Sequence, residues 1–204
     1  MIAKEILDKV LSFVALVFLL PIFLIVSIAI KLDSPGPVFF IQERVGKNGK
    51  VFRAIKFRTM YVGAHEQTKG RYISKEDPMV TRAGRILRRT GIDELPQLIN
   101  VLKGEMSLVG PRPTLKYQAD KYDGFQKKRL LMKPGITGWA LVNGRNKLTW
   151  EERIKYDVWY VENSSFWLDV KILLKTIYVV AKGEGLYADR ETDEIAKAKD
   201  TGDT

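Results

Sequence analysis

The 204-residue sequence contains no cysteine and a single histidine, His65. Without cysteine the chain cannot form a disulfide, a thiolate-ligated metal site or a cysteine nucleophile. One histidine excludes a multi-histidine metal site, and a Ser-His-Asp mechanism would have to use His65 alone. The remaining chemistry must use carboxylate, amine, guanidinium or hydroxyl groups, with oxygen ligands for any metal.

Negative charge is also scarce, because 34 Lys and Arg residues stand against 24 Asp and Glu and give a formal net charge of +10 at pH 7. Residues 44–89 contain 13 basic and three acidic residues, so this segment accounts for the whole excess. Such an excess predicts an anionic partner: nucleic acid, a membrane surface or a phosphate-bearing substrate. Neither G-x-x-x-x-G-K-[ST] nor G-x-G-x-x-G occurs, which excludes a P-loop and a Rossmann crevice.

The longest uncharged stretch is residues 10–30, a run of 21 positions bracketed by Lys9 and Lys31. A helix of this length rises about 30 Å, which is the hydrocarbon thickness of a bilayer. The run is too long for the core of a signal peptide, and the segment DSPGP follows it instead of a cleavage site. We therefore predict a membrane-embedded segment.

Pro21 lies near the centre of this run and leaves two topologies open. One is a spanning helix with a proline kink, which membranes tolerate. The other is a re-entrant hairpin that enters and leaves by the same face. Lys4 and Lys9 before the run and Lys31 after it favour a cytoplasmic position for both ends, and therefore the re-entrant topology.

The remaining pattern predicts short elements separated by loops. Strands over 38–45 and 51–60 flank Asn48-Gly49, which is the strongest short signal of a β-hairpin. Two prolines around Arg112 predict a rigid loop over 110–113. A loop is predicted over 63–78, and helices are predicted over 80–89, 95–102, 117–132 and 150–183, the last range broken near 163–165.

Two basic clusters precede an acidic pair. Lys56 and Arg58 alternate on a predicted strand and point to one face. Arg85, Arg88 and Arg89 lie at i, i+3 and i+4 of the predicted basic helix. These clusters could cradle a diphosphate, or the same charges could form a solvated face or a patch on anionic lipid.

The acidic pair is Asp93-Glu94, and it has a structural and a functional interpretation. Structurally, Asp is a preferred N-cap, and Pro96 is tolerated in the first turn of a helix. Functionally, an Asp at a helix N-terminus flanked by arginines stays ionised and can attack a phosphorus atom. Glu94 could hold Mg²⁺ beside a phosphate substrate, and Arg112 could supply a fixed guanidinium for phosphate.

Four segments together resemble the bacterial sugar transferase family, the monotopic polyprenyl-phosphate phosphoglycosyl transferases. They are residues 56–60 (KFRTM), 92–113 (IDELPQLINVLKGEMSLVGPRP), 133–139 (KPGITGW) and 142–146 (VNGRN). The resemblance covers about residues 1–185, and the long block through Asp93 and Arg112 is highly specific. One departure is Leu20, because small members of the family often carry Ser before the proline that Pro21 matches.

The resemblance implies transfer of a sugar 1-phosphate from a UDP-sugar to undecaprenyl phosphate, with release of UMP. By this analogy Asp93 forms a phosphosugar–aspartyl intermediate in a ping-pong mechanism, and Glu94 is associated with Mg²⁺. Arg88 and Arg112 match positions near the phosphates, while Asn143 and Arg145 lie in a motif expected to contact the nucleotide. A proline-broken re-entrant helix is also implied.

These observations predict an α+β, mainly helical fold: a re-entrant membrane helix, a β-hairpin and amphipathic interfacial helices around a small cytoplasmic catalytic domain. The expected ranges are 1–33 for the membrane segment, 34–186 for the catalytic domain and 187–204 for a polar, partly disordered tail. All four tryptophans lie in the second half, where they either fill the core or lie in the headgroup layer.

The expected location is the cytoplasmic face of the bacterial inner membrane. The expected partners are the UDP-sugar, undecaprenyl phosphate and membrane lipids, without nucleic acid, and a homodimer is left open. Two alternatives stand beside this prediction: a membrane-attached glycosyl transferase that releases UDP, and a non-catalytic basic protein that binds the membrane surface.

Overall fold

A long N-terminal helix, α1 (Ile2–Asp33), stands out in the computed structural model, which describes residues 2–67, 73–74 and 76–183. The predicted break at Pro21 is not observed, because Pro21 lies inside one helix that continues on both sides of it. Large apolar side chains along its middle are exposed, Phe18 by 79% and Ile25 by 66%. Within the described ranges, α1 alone is long and apolar enough to cross a membrane.

Both ends of α1 contact the rest of the protein. Near the N-terminus, Lys4 forms an ion pair with Asp169. Near the C-terminus, Ile30 packs in one apolar cluster with Phe57 and Leu87. The exposed middle of the helix therefore lies between two attached ends.

A β-hairpin follows α1, as predicted. Strands β1 (Phe39–Val45) and β2 (Val51–Phe57) pair antiparallel, and β2 is three residues shorter than the predicted 51–60. The turn between them has positive φ at Asn48 (+56°) and Gly49 (+77°). Asn and Gly are the residues that adopt this left-handed backbone most readily, which is why this dipeptide marks the turn.

A second, parallel sheet joins β3 (Ser107–Val109) to β4 (Gly135–Thr137). The sequence pattern does not predict it, because strands of three residues carry no alternation signal. Backbones here approach closely: a Cβ on Gly138 would lie 2.1 Å from the carbonyl oxygen of Gly110. This contact fixes the start of the loop that carries Arg112.

Seven further helices and four 3₁₀ segments complete the described chain. The helices are α2 (Ala64–Gln67), α3 (Arg82–Thr90), α4 (Leu98–Leu102), α5 (Lys116–Ala119), α6 (Trp139–Val142), α7 (Trp150–Asn163) and α8 (Phe166–Lys182). The 3₁₀ segments are Lys47–Gly49, Ile92–Gln97, Gln126–Leu131 and Arg145–Lys147. The basic helix over 80–89 and the helix pair over 150–183 are confirmed. The predicted loop over 63–78 lies only partly within the described residues, and the predicted tail over 187–204 lies outside them.

The predicted helix over 117–132 is wrong. Only α5 and the 3₁₀ segment Gln126–Leu131 are helical there. Asp123 Oδ1 accepts a hydrogen bond of 2.8 Å from the Gln126 backbone amide, and Gly124 lies between them. A side-chain cap of this kind offers the backbone an alternative to helical hydrogen bonds, so it starts a new turn instead of continuing the old one.

The tryptophans differ in burial, and a position in the headgroup layer stays a prediction. Trp150 belongs to a buried cluster, whereas Trp159 is 42% and Trp167 is 77% exposed. Phe166 and Ile177 on α8 are also exposed, by 58% and 69%. The protein thus has a second exposed apolar surface besides α1.

Candidate active site

The acidic pair lies in a cavity of about 890 Å³, which the hairpin, α3 and the loop around Arg112 border. Asp93 and Glu94 belong to the 3₁₀ segment Ile92–Gln97, which begins after Gly91 in the left-handed conformation (φ +71°). No side chain from the described residues caps this segment, so the prediction of Asp93 as an N-cap is wrong. The positive φ of Gly91 turns the chain out of α3 and directs both carboxylates into the cavity region.

Asp93 makes no hydrogen bond or ion pair with another side chain in the described part of the protein. Burial raises the pKa of its carboxyl group to about 6, and the neighbouring charge of Glu94 adds to the rise. Lys56, Arg88 and Arg112 act in the opposite direction. Asp93 is therefore an anion at neutral pH, as expected, but a more basic and more nucleophilic one than an exposed aspartate.

Glu94 is neutralised from two sides. Lys56 Nζ lies 2.6 Å and Arg112 Nη2 lies 2.9 Å from its Oε1 atom, and Arg112 Nη1 lies 3.4 Å from Oε2. Burial works to raise the pKa of Glu94, but Arg112 and Lys56 together hold it well below its ordinary range. The two adjacent carboxyl groups thus differ in basicity, which suits Asp93 to attack and Glu94 to organise charge.

A buried ion pair holds the loop that carries Arg112. Arg129 and Asp157 pair with each other and are only 2% and 1% exposed. Arg129 Nη2 also donates to the carbonyl oxygen of Arg112 at 3.0 Å, and its Nη1 donates to the Tyr122 hydroxyl at 2.6 Å. Burial raises the pKa of Asp157, while Arg129, Arg153 and the backbone amide of Arg112 oppose the rise.

These positioning residues were missed at the sequence level, although one signal was present. Asp157 occurs between Ile154 and Val158, two buried residues of α7. A charged residue on the apolar face of a helix requires a buried partner. The partner itself, Arg129, lies 28 residues away and cannot be found by periodicity.

Of the predicted basic clusters, Lys56 and Arg88 enter the site. Arg88 lines the cavity, and its Nε donates to Thr59 Oγ1 at 2.9 Å. Arg85 and Arg89 are exposed and do not line the cavity. Helical spacing therefore brings one of the three arginines of this predicted cluster into the cavity.

Arg58 lines the cavity, and it also holds the turn that follows α1. Its three guanidinium nitrogens donate to the carbonyl oxygens of Ser34, Pro35 and Pro37 at 2.8, 3.0 and 2.6 Å. It is 5% exposed. The side chain therefore has a structural role, and its part in phosphate binding stays a prediction.

Asn143 is also placed away from the site. Its Nδ2 donates to the Trp139 carbonyl oxygen at 2.8 Å, and its Oδ1 accepts from Lys175 Nζ at 3.0 Å. It does not line the cavity, whereas Arg145, two residues later, does. The nucleotide contact expected of this motif is therefore available to Arg145 and not to Asn143.

Comparison with known proteins identifies the family of this chain. The model of the family described as bacterial sugar transferase matches residues 1–183. A protein of Bacillus subtilis (strain 168) named as the uncharacterized sugar transferase EpsL is 44% identical over 201 residues, which are 97% of this chain and 96% of that protein.

Two longer relatives carry more specific names. A UDP-glucose:undecaprenyl-phosphate glucose-1-phosphate transferase of Xanthomonas campestris pv. campestris is 43% identical over 183 residues, 86% of this chain and 38% of that protein. A UDP-N-acetylgalactosamine-undecaprenyl-phosphate N-acetylgalactosaminephosphotransferase of Aeromonas hydrophila is 43% identical over 188 residues, 89% of this chain and 44% of that protein. The chain thus spans less than half of these two relatives. With a family match over nearly its whole length, this chain belongs to the bacterial sugar transferase family.

Proposed function

We propose that this protein transfers a sugar 1-phosphate from a UDP-sugar to undecaprenyl phosphate and releases UMP. The names of the Xanthomonas and Aeromonas relatives describe this kind of transfer. The observation that carries the proposal is the Asp93 carboxylate, which faces no side-chain partner among the described residues and lies beside a neutralised Glu94.

The mechanism uses two displacements at one phosphorus atom. Asp93 attacks the sugar-bearing phosphorus, the P–O bond to the second phosphate breaks, and UMP leaves with the electron pair. An oxygen of the lipid phosphate then attacks the same phosphorus, and the bond to Asp93 breaks. Lys56, Arg88 and Arg112 stabilise the charge of the transferring group throughout.

We also propose Mg²⁺ as a cofactor. Carboxylate oxygens are suitable ligands, and the described residues contain no group of three or more acidic, His or Cys side chains that could hold a metal by themselves. Glu94 would hold the ion beside the substrate diphosphate. When bound, Mg²⁺ would neutralise negative charge on the diphosphate.

The contacts of α1 support a monotopic attachment with both of its ends on one face of the membrane, although Pro21 does not divide the helix into two elements. A spanning helix would separate its two ends by the thickness of the membrane. Here Lys4 and Ile30 both contact the globular part, through Asp169 and Phe57 respectively. We infer that both ends lie on the cytoplasmic face of the inner membrane, where the UDP-sugar is found. Tags placed before Lys4 and after Lys31 should both be protected from periplasmic reagents; labelling of the N-terminal tag from the periplasm would refute this topology.

The central experiment is a panel of UDP-sugars assayed with undecaprenyl phosphate for the released nucleotide. We expect UMP, release that requires Mg²⁺, and loss of turnover in Asp93→Asn. Release of UDP would instead show a glycosyl transferase that moves the sugar alone. If the protein only binds the membrane surface, no nucleotide should be released. Lipid binding should then weaken with added salt and should be the same in Asp93→Asn as in the wild type.

A further inference from the structure

Helix α3 carries four arginines and no acidic residue in nine positions. One of the four, Arg88, lines the catalytic cavity. The other three, Arg82, Arg85 and Arg89, are exposed and form no ion pair with a carboxylate among the described residues. The helix therefore presents three guanidinium groups to its surroundings, on a face that the catalytic site does not use.

This arrangement of charges does not stabilise the helix itself. Arg85 and Arg89 are spaced i, i+4, where like charges repel each other. Arg82 is the first residue of the helix, and the positive end of the helix dipole disfavours a cation there. Of the three, only Arg89 lies in the last turn, where the dipole favours it. The arginines are therefore explained better by an anion outside the helix than by the helix.

The packing of α3 places it where α1 leaves the apolar part of the membrane. Leu87 packs in one cluster with Val26 and Ile30 of α1, and Ile30 is the last residue of the uncharged run. The backbone amide of Ala83 donates to Oδ2 of Asp33, the last residue of α1, at 2.8 Å. Helix α3 thus lies at the depth at which the apolar run gives way to charge, which is the depth of the lipid headgroups.

Exposed apolar side chains accompany the arginines. Ile86 on α3 is 65% exposed, and Leu32 at the end of α1 is 84% exposed. The other end of α3 approaches α8: a Cβ on Gly91 would lie 3.9 Å from Val180, and Ile177 on α8 is 69% exposed. Helices that lie on a membrane surface combine basic and apolar residues in this way, whereas a face for a nucleic acid or an acidic protein requires only the charges.

We propose that the outer face of α3, formed by Arg82, Arg85, Ile86 and Arg89, binds the headgroups of anionic phospholipids. The guanidinium groups form charge-assisted hydrogen bonds with the lipid phosphates, and Ile86 enters the boundary between headgroups and acyl chains. A zwitterionic headgroup carries its own cation, so three arginines favour a lipid with a net negative charge. This inference goes beyond the proposed function, because it rests on the membrane attachment of α1 and not on the transfer reaction.

The test identifies the lipid that lies next to α3 in the full chain. Because the sequence has no cysteine, Ile86→Cys allows a single fluorophore to be attached to this face. The labelled protein is placed in phosphatidylcholine nanodiscs that contain a minor fraction of phosphatidylglycerol. A nitroxide quencher is carried either by phosphatidylglycerol or, at the same mole fraction, by phosphatidylcholine. We expect the anionic lipid to quench the fluorophore more strongly. A fluorophore on Phe18→Cys, in the exposed middle of α1, is the control for insertion and should be quenched by both lipids.

Substitution of the arginines shows which charges create the preference. Arg82→Gln, Arg85→Gln and Arg89→Gln should each lower the preference for phosphatidylglycerol by up to about fivefold, which is the contribution of one basic residue near an anionic surface. The triple variant should have no preference. Arg53→Gln is the matched control, because Arg53 is exposed on β2 and outside α3, and the preference should stay at the wild-type level. Added salt should weaken the preference of the wild type.

Equal quenching by the two lipids would overturn the proposal, and so would a preference that survives in the triple variant. Quenching at Phe18→Cys without quenching at Ile86→Cys would also overturn it, because α3 would then face water. Protection of the Ile86→Cys fluorophore that depends on protein concentration, and not on lipid, would instead show a second copy of the chain on this face. If the triple variant melts below the wild type, the single variants decide. Failure of the proposed function would appear separately, as absence of UMP release from every UDP-sugar, and would leave the lipid preference unchanged.

Discussion

Replacing Asp157 with Asn should both destabilise the protein and slow it, because Asp157 holds Arg129 and Arg129 holds the Arg112 carbonyl oxygen. The neutral amide of Asp157→Asn would leave the Arg129 guanidinium without its counter-charge at a site where it is 2% exposed. Removing one partner of a buried ion pair costs about 3–5 kcal/mol. For a chain of this size, about 3 kcal/mol corresponds to a fall in Tm of roughly 6–12 °C.

The loss of rate should have its own signature. If the loop moves, Arg112 no longer holds Glu94 at 2.9 Å and no longer lowers the pKa of Asp93, which therefore rises further above its ordinary value. The acidic limb of the pH–rate profile should then move to higher pH, as it should in Arg112→Gln. The Asp157→Asn, Arg112→Gln double variant should have a kcat little lower than that of either single variant, because both changes act through the same contact.

Lys128→Met provides the matched control. Lys128 pairs with Glu162 at 2.8 Å and joins the same two elements, the 3₁₀ segment Gln126–Leu131 and α7. Both side chains are about half exposed, so this pair should contribute less than about 1 kcal/mol. An Asp157→Asn protein that melts like Lys128→Met would refute the stabilising role. One that melts lower but keeps wild-type kcat and an unshifted acidic limb would refute the positioning role.

Three further predictions concern the site and its frame. Because the pKa of Asp93 is raised to about 6 from an ordinary 3.8, the folded protein binds this proton more tightly than the unfolded one, and stability falls as the pH rises from about 3.8 to 6. Asp93→Asn should therefore be inactive yet more stable at pH 7.5, by about 3 kcal/mol, with the difference vanishing below the ordinary pKa; equal melting temperatures at pH 7.5 would contradict this. Asn143→Ala should keep near-wild-type kcat/KM, since the side chain lies outside the cavity, and a loss as large as that of Arg145→Gln would show that the placement is wrong. Gly138→Ala should fold poorly, because the new Cβ would lie 2.1 Å from the Gly110 carbonyl oxygen, and normal expression with a wild-type Tm would exclude this close packing.

The sequence predicted the features that depend on local chemistry. The uncharged run over 10–30 predicted α1, and Asn48-Gly49 predicted the hairpin. The family resemblance predicted that Asp93, Glu94 and Arg112 belong to one site. Local signals were sufficient here because periodicity, turn residues and contiguous motifs act over a few positions.

Features that depend on contacts between distant residues were not predictable in the same way. The Arg129–Asp157 pair joins residues 28 positions apart, and the β3–β4 sheet has strands too short to show alternation. Arg58 was predicted at the site and does line the cavity, but the sequence did not show that three carbonyl oxygens of the preceding turn accept hydrogen bonds from its guanidinium group. Residue type and spacing can show that a guanidinium is nearby, and only the fold shows what it binds.

The two attached ends of α1 have a practical consequence for anyone preparing this protein. Ile30 fills a cluster with Phe57 and Leu87, and Lys4 reaches the Val109 carbonyl oxygen directly before the Arg112 loop. A truncated protein without α1 would thus lack part of its apolar interior and one contact that supports the loop that carries Arg112. Helix α1 should therefore be kept in the expressed protein, and detergent, nanodiscs or lipid should be present from expression to assay.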